Sequence, residues 1–200
     1  MVLLSNASPS HVTVPHSLPR RGFSVVELLI VCGILAIFVT LAYPRVDFAE
    51  FQVDSGARTV RAALQNAERL AVTQRHDVVV SFDLINKRLR ILEDANNNGV
   101  ADRGERVSYV ALENGVHFKA PPAGLSGPVS SAVTGSNMKT VDGMPTIAFH
   151  RDGAASTDLE VYLVSSKELP NDWRAIQVVQ STGHTDWYRY LDNLWKAESV

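Results

Sequence analysis

From Phe23 to Tyr43 the chain is apolar apart from Ser24, Glu27 and Thr40. That stretch is 21 residues long, and a helix needs roughly 20 to cross the hydrocarbon core of a bilayer. From Val46 to about Thr73 the pattern changes. Val53, Ala57, Val60, Leu64, Ala67 and Ala71 recur at alternating spacings of four and three, which predicts an amphipathic helix with one apolar stripe. Arg58, Arg61, Gln65, Glu68 and Arg69 fall on its other faces.

After the helix the period becomes two. Asp77 to Ile85 places Val78, Val80, Phe82 and Leu84 on one side, and Lys87 to Glu93 alternates Leu89 and Ile91 with Arg88 and Arg90. Glu105–Leu112, Gly115–Lys119, Thr146–His150, Leu159–Ser165, Arg174–Ser181 and Thr185–Tyr190 complete a strand-rich half. Ala120 to Pro145 is loaded with Gly, Pro, Ser and Thr and reads as a long loop. One long helix ahead of many strands predicts an α+β fold, without internal repeats.

Composition narrows the function. At 200 residues and 46% hydrophobic, the chain can bury one sizeable core. A net charge of -2 argues against a nucleic-acid binder, which needs a clustered basic surface. The single cysteine, Cys32, lies inside the apolar run and has no intramolecular partner. His76, His117, His150 and His184 are scattered over different segments without metal-ligand spacing. No nucleophile elbow or phosphate-binding glycine loop appears, so no catalytic residue is assigned and the chain reads as not an enzyme. Trp173, Trp187 and Trp195, with Tyr188 and Tyr190, read as core and edge packing or as a partner-binding patch.

Three readings compete for the apolar run. A cleaved secretory signal also has basic residues before an apolar core, and Thr40-Leu41-Ala42 is a passable cleavage site, but the run is long for a signal core. A plain anchor leaves Glu27 unexplained, since a carboxylate within a spanning helix costs about 2.5–3.5 kcal/mol, less near its end. The third reading takes in the whole string Arg20-Arg21-Gly22-Phe23-Ser24-Val25-Val26-Glu27-Leu28-Leu29-Ile30.

That string resembles the type IV prepilin motif: basic residues, a glycine, the cut, a phenylalanine, and glutamate as fifth residue of the mature chain. The resemblance implies that a prepilin peptidase cleaves between Gly22 and Phe23 and methylates the new N-terminus of Phe23. Glu27 would serve filament assembly by meeting the terminal amine of a neighbouring subunit. Pro44 fits the same pattern. The implied organisation is a leader peptide at 1–22, a transmembrane helix segment at 23–43, an amphipathic continuation of the helix at 44–75 and a β-rich globular domain at 76–200. Arg20 and Arg21 keep the N-terminus cytoplasmic, which sends the globular domain to the periplasmic side of a bacterial inner membrane.

Weaker likenesses point to the H-type pseudopilin and FimT-like minor pilin family (GspH/FimT). They are Ala62 to Ala71, the hairpin with the acidic loop, Ile147-Ala148-Phe149-His150-Arg151-Asp152-Gly153, and Arg174 to Val179 with Ser181-Thr182-Gly183. The resemblance implies a type IV pilin-like fold, its long N-terminal helix packed on antiparallel sheet. The implied partners are a prepilin peptidase, other pseudopilins or pilins, and inner-membrane lipid. It leaves two roles open, a minor pseudopilin of a type II secretion system or a minor pilin of a type IV pilus. Some FimT-like proteins bind DNA through a basic C-terminal tail; here Arg189 and Lys196 stand against Asp186, Asp192 and Glu198.

Asp94 to Glu105 matches the D-x-[DN]-x-[DN]-G-x5-E spacing of a calcium loop. Asp94, Asn96, Asn98, Asp102 and Glu105 would offer side-chain oxygens and Val100 a carbonyl, holding Ca2+ at the low affinity of extracellular modules. The alternative is a polar hairpin loop, for which Asn and Gly are the usual residues.

Overall fold

The computed structural model describes residues 23–42, 48–121, 125 and 138–198. The chain divides into two compact units, residues 1–46 and 47–200. In the first, α1 runs from Val25 to Ala42. Ser24 starts it: its hydroxyl accepts from the Val26 N–H at 3.3 Å, and its carbonyl accepts from the Leu28 N–H at 3.1 Å. Glu27 stands in the first turn, where a negative charge is favoured by the unpaired N–H groups of the helix end. At 18 residues α1 is about 27 Å long. No helix among the described residues is long and apolar enough to cross a membrane. The expected 23–43 segment is longer because it counts Phe23 and Ser24, which precede the helix, and Tyr43, which lies outside the described residues.

The second unit is built on α2, Phe48–Gln74, which buries the expected stripe together with Ala49, Asp54, Gly56 and Ala63. Small residues on this face allow close packing: a Cβ at Gly56 would lie 3.1 Å from the Val116 side chain. Arg75, in the left-handed region at φ 60°, ends the helix. The continuity expected across Pro44 falls on residues outside those described.

Among the described residues ten strands follow, all paired antiparallel, in two five-stranded sheets. Their ranges are β1 Asp77–Asp83, β2 Arg88–Asp94, β3 Arg106–Ala111, β4 Val116–Phe118, β5 Lys139–Val141, β6 Met144–Phe149, β7 Leu159–Ser165, β8 Arg174–Val178, β9 Thr185–Leu191 and β10 Leu194–Ala197. The first sheet has the order β3-β2-β1-β6-β5 and the second β10-β9-β8-β7-β4. The α2 stripe and both inner faces form one core, with Leu64, Val80, Leu89, Ile147, Phe149, Leu163, Ile176 and Trp187 at its centre. This is the expected α+β arrangement, a long helix on antiparallel sheet.

The two sheets meet beside the end of α2, where Gly183 (φ 66°) faces Gly153. A Cβ on Gly183 would sit 2.2 Å from the Gly153 carbonyl oxygen, so only glycine fits there. The outer face of the second sheet carries a smaller cluster of Tyr162, Val164, Trp173 and Ala175, against which Leu125, Tyr188, Tyr190 and Trp195 pack.

Three expectations are corrected. Leu84 is not a core strand residue: β1 ends at Asp83 and Leu84 is exposed in the following turn. The segment expected as a loop from Ala120 to Pro145 contains β5 and the start of β6, joined by Asp142-Gly143 with φ 52° and 76°. Asp-Gly with two positive φ angles is the favoured two-residue hairpin turn. The strand expected from Arg174 to Ser181 stops at Val178, because the Gly183 N–H folds back on the Val179 carbonyl at 2.8 Å.

Candidate functional site

The residues singled out on the sequence fall into two places. Gly22 lies outside the described residues. Phe23 stands exposed just before α1, and Glu27 sits one turn into it. Ser24 and Glu27 occupy the N-cap and third positions, the spacing of a capping box. Glu27 is therefore suited both to the helix start and to pairing with an amine. Beyond it the apolar side chains of α1 are exposed on all faces. Such a surface needs lipid or other apolar helices around it.

The second place is the loop from Asp94 to Glu105, between β2 and β3. Asp94 is 1% exposed; its carboxylate accepts from the Asn98 N–H at 3.1 Å and the Gly99 N–H at 2.6 Å. Asn98 Oδ1 accepts from the Val100 N–H at 2.7 Å, and Asn96 Oδ1 from the Asn98 N–H at 3.0 Å. The amides of Asn96 and Asn98 both donate to Asp102 Oδ2 at 2.7 Å, which holds the Asp102 carboxyl below its ordinary pKa. Glu105 accepts from the Ala95 N–H at 3.0 Å and the Asp102 N–H at 2.9 Å. The donor types suit calcium, but in this arrangement each named side-chain oxygen set already meets an N–H of the loop. No group of three or more His, Cys, Asp or Glu side chains among the described residues is arranged to hold a metal ion.

A third cluster was missed on the sequence. Arg174, at the start of β8, has a fully buried side chain. Its Nε donates to Asp54 Oδ1 at 2.5 Å, and its Nη1 donates to the carbonyls of Asn171 at 2.6 Å and Trp173 at 2.9 Å. Arg189 lies directly opposite Arg174 across β8 and β9, a like-charge pairing that would destabilise the sheet if left alone. Asp54 resolves it by bonding both guanidinium groups, and Glu50 approaches Arg174 at 3.6 Å and Arg189 at 3.4 Å. Burial pulls the Arg174 pKa down, opposed first by Asp54. The cluster fastens the first turns of α2 to the second sheet. Its only sequence signals are Asp54 beside the apolar stripe and Arg174 opening an apolar strand.

The four histidines remain apart. His150 Nδ1 lies 2.9 Å from Asp77 Oδ2, His117 3.6 Å from Glu168, His184 3.2 Å from Asp186, and His76 2.9 Å from Gln74. Trp173 and Trp187 are buried, which bears out core packing for both.

Comparison with known proteins gives a family match at one end of the chain. Residues 18–43 match the prokaryotic N-terminal methylation motif. No curated protein sequence matches the chain. Among solved structures, the minor pseudopilin EpsH from the Type 2 Secretion System of Vibrio cholerae is similar at 14% identity and TM-score 0.44. That match covers 73% of this chain and 97% of that one. The type IV minor pilin FimU of Pseudomonas aeruginosa is similar at 16% identity and TM-score 0.45, covering 73% of this chain and 92% of that one. A second EpsH structure matches at 14% identity and TM-score 0.43, over 76% and 99%.

Proposed function

We propose that this chain is a type IV pilin-like filament subunit, specifically a minor pseudopilin of a type II secretion system. The observation that carries this reading is the methylation motif at residues 18–43, set at the head of an apolar helix. A prepilin peptidase cuts between Gly22 and Phe23 and methylates Phe23. The leader leaves and the apolar segment stays, anchoring the protein in the inner membrane with its globular unit outside the cytoplasm. The role is structural and not catalytic: the subunit joins a short periplasmic filament that helps drive protein export.

Glu27 sets the register of that filament. The glutamate lies one helical turn from Phe23, too close for an unstrained bond within one subunit, but a staggered neighbour can offer its terminal amine. In lipid each charge needs the other, and removing one partner of a buried pair costs several kcal/mol, about 3–5. Glu27→Val should therefore insert in the membrane and be cleaved, yet fail to co-assemble with the other filament subunits. Glu27→Gln, which keeps shape and polarity, should fail likewise. Normal secretion and co-purification with the other subunits in a Glu27→Val strain would contradict the assembly role. Loss of pili on deletion of the gene, with secretion intact, would replace the secretion reading by that of a type IV minor pilin.

We carry calcium as a separate proposal for the Asp94–Glu105 loop, resting on its ligand spacing. Binding there requires the Asn96 and Asn98 amides to leave Asp102.

A further inference from the structure

The first turns of α2 present two faces of opposite character. Glu50 and Asp54 are turned onto Arg174 and Arg189, so their charges are met within the fold. The other side carries Phe48, 58% exposed, and Phe51, 71% exposed, one turn apart on one face. Behind them on this face lies Ser55, whose hydroxyl donates to Glu113. Two aromatic rings exposed at a helix start, with the neighbouring carboxylates drawn away from them, make an apolar surface that no side chain among the described residues covers.

Chain length says what lies within its reach. Ala42 ends α1, and only residues 43–47 separate it from Phe48. Six Cα–Cα steps span at most about 22 Å at full extension, whatever path they take. If α1 stands in a bilayer, Phe48 lies within that distance of the last apolar turn, within reach of the lipid surface. We propose that the face of α2 bearing Phe48 and Phe51 beds into the boundary between lipid headgroups and acyl chains. The globular unit is then held against the membrane by a contact separate from its anchor. Burying apolar rings at that boundary is the physics of interfacial helices, and the internal pairing of Glu50 and Asp54 removes the charge that would oppose it. This inference rests on the membrane-anchored reading above.

The test uses the full chain in lipid nanodiscs, in a Cys32→Ser background. Single spin labels are placed through Leu35→Cys on α1, Phe51→Cys, and Thr73→Cys at the exposed far end of α2. Positions 51 and 73 share one helix and lie about 33 Å apart along it. Accessibility is read with oxygen, which partitions into lipid, against a water-soluble nickel chelate. The expected result is an oxygen-to-nickel ratio at 51 that stands well above 73 and below 35, which lies mid-way along α1. A ratio at 51 equal to that at 73, with 35 still in lipid, overturns the proposal and leaves the anchor intact. A water-exposed label at 35 overturns the anchored reading and the proposal together. If the label at 51 is in water in isolated discs and shielded from both reagents only on adding other filament subunits, the face is a protein interface and the lipid proposal fails. Phe48→Cys, read in the same way, repeats the measurement on the second ring.

Discussion

Two helices of this chain, α1 and α2, were built for different surroundings. α1 has apolar side chains exposed on all faces, and the acid it carries, Glu27, sits in its first turn. α2 is about half polar, yet its buried stripe packs against two sheets, and Glu50 and Asp54 find partners across the fold. Hydrogen bonding along the backbone is the same in both. What differs is where most of the apolar surface goes: α2 buries its stripe within the globular unit and exposes Phe48 and Phe51 at its start, and α1 leaves its own for lipid or for other helices.

The largest effect expected from that difference lies at the α2–sheet ion cluster. Asp54→Ala removes the acid shared by Arg174 and Arg189 and leaves a guanidinium buried without its counterion. The cost should be about 3–5 kcal/mol in urea unfolding of the full chain in detergent, followed by tryptophan fluorescence. Arg174→Met should cost less, because Asp54 keeps Arg189. An unchanged midpoint for Asp54→Ala would mean that the cluster adds nothing to the attachment of α2.

Next comes a direct contrast of the two helices. Leu64→Ala opens a cavity in the core between α2 and the sheets and should cost about 2–5 kcal/mol. Leu35→Ala on α1, followed by the same unfolding signal, should leave the midpoint where it was. Equal losses would contradict this contrast between the helices.

The hairpin loop should show a smaller effect. Asp94→Ala strands the Asn98 and Gly99 N–H groups and should cost about 1–3 kcal/mol even in a chelator. Calcium at millimolar concentration should raise the melting temperature of the unaltered protein, since a ligand at several times its Kd adds measurable stability. Glu105→Ala should abolish that increment. No increment at about 10 mM, well above the Kd expected of extracellular modules, leaves the loop as a hydrogen-bonded turn alone.

The smallest effect is one of pH. The Asn86 side-chain amide and backbone N–H, joined by Arg88, hold the Asp83 pKa down from 3.8 to about 2. A carboxyl lowered in the folded state stabilises above its unfolded pKa, and the gain is lost as pH falls through the folded value. Asp83→Asn should therefore lower the melting temperature slightly at neutral pH, with the difference from the unaltered protein closing as pH falls from 3.8 through about 2. A difference that does not change with pH would assign the effect to shape and not to charge.

Much of this was legible because periodicity reports burial. The stripe of α2 was readable at every position from Val53 to Ala71, since each sits at helical spacing and each is buried. The hairpins β5–β6 and β9–β10 were not. Both turn on two residues with positive φ, Asp142-Gly143 and Asp192-Asn193, and their short strands alternate too weakly to announce themselves. The Asp-Gly pair was a usable signal that the surrounding Gly, Pro and Ser masked. Arg174 was read as one more strand residue. Its partner Asp54 lies 120 positions away, a separation that no local pattern reports. At the N-terminus the motif was readable because it is contiguous: a peptidase meets it as a linear chain, not as a fold.

Whether this chain enters the membrane as a prepilin is read from the mass of its N-terminal peptide. Co-expressed with a prepilin peptidase and purified from membranes, the protein should begin at Phe23, carry one methyl group on its amine and retain the whole of α1. An N-terminus beginning after Ala42 would contradict the account, because the apolar helix would then have been a secretory signal discarded on export.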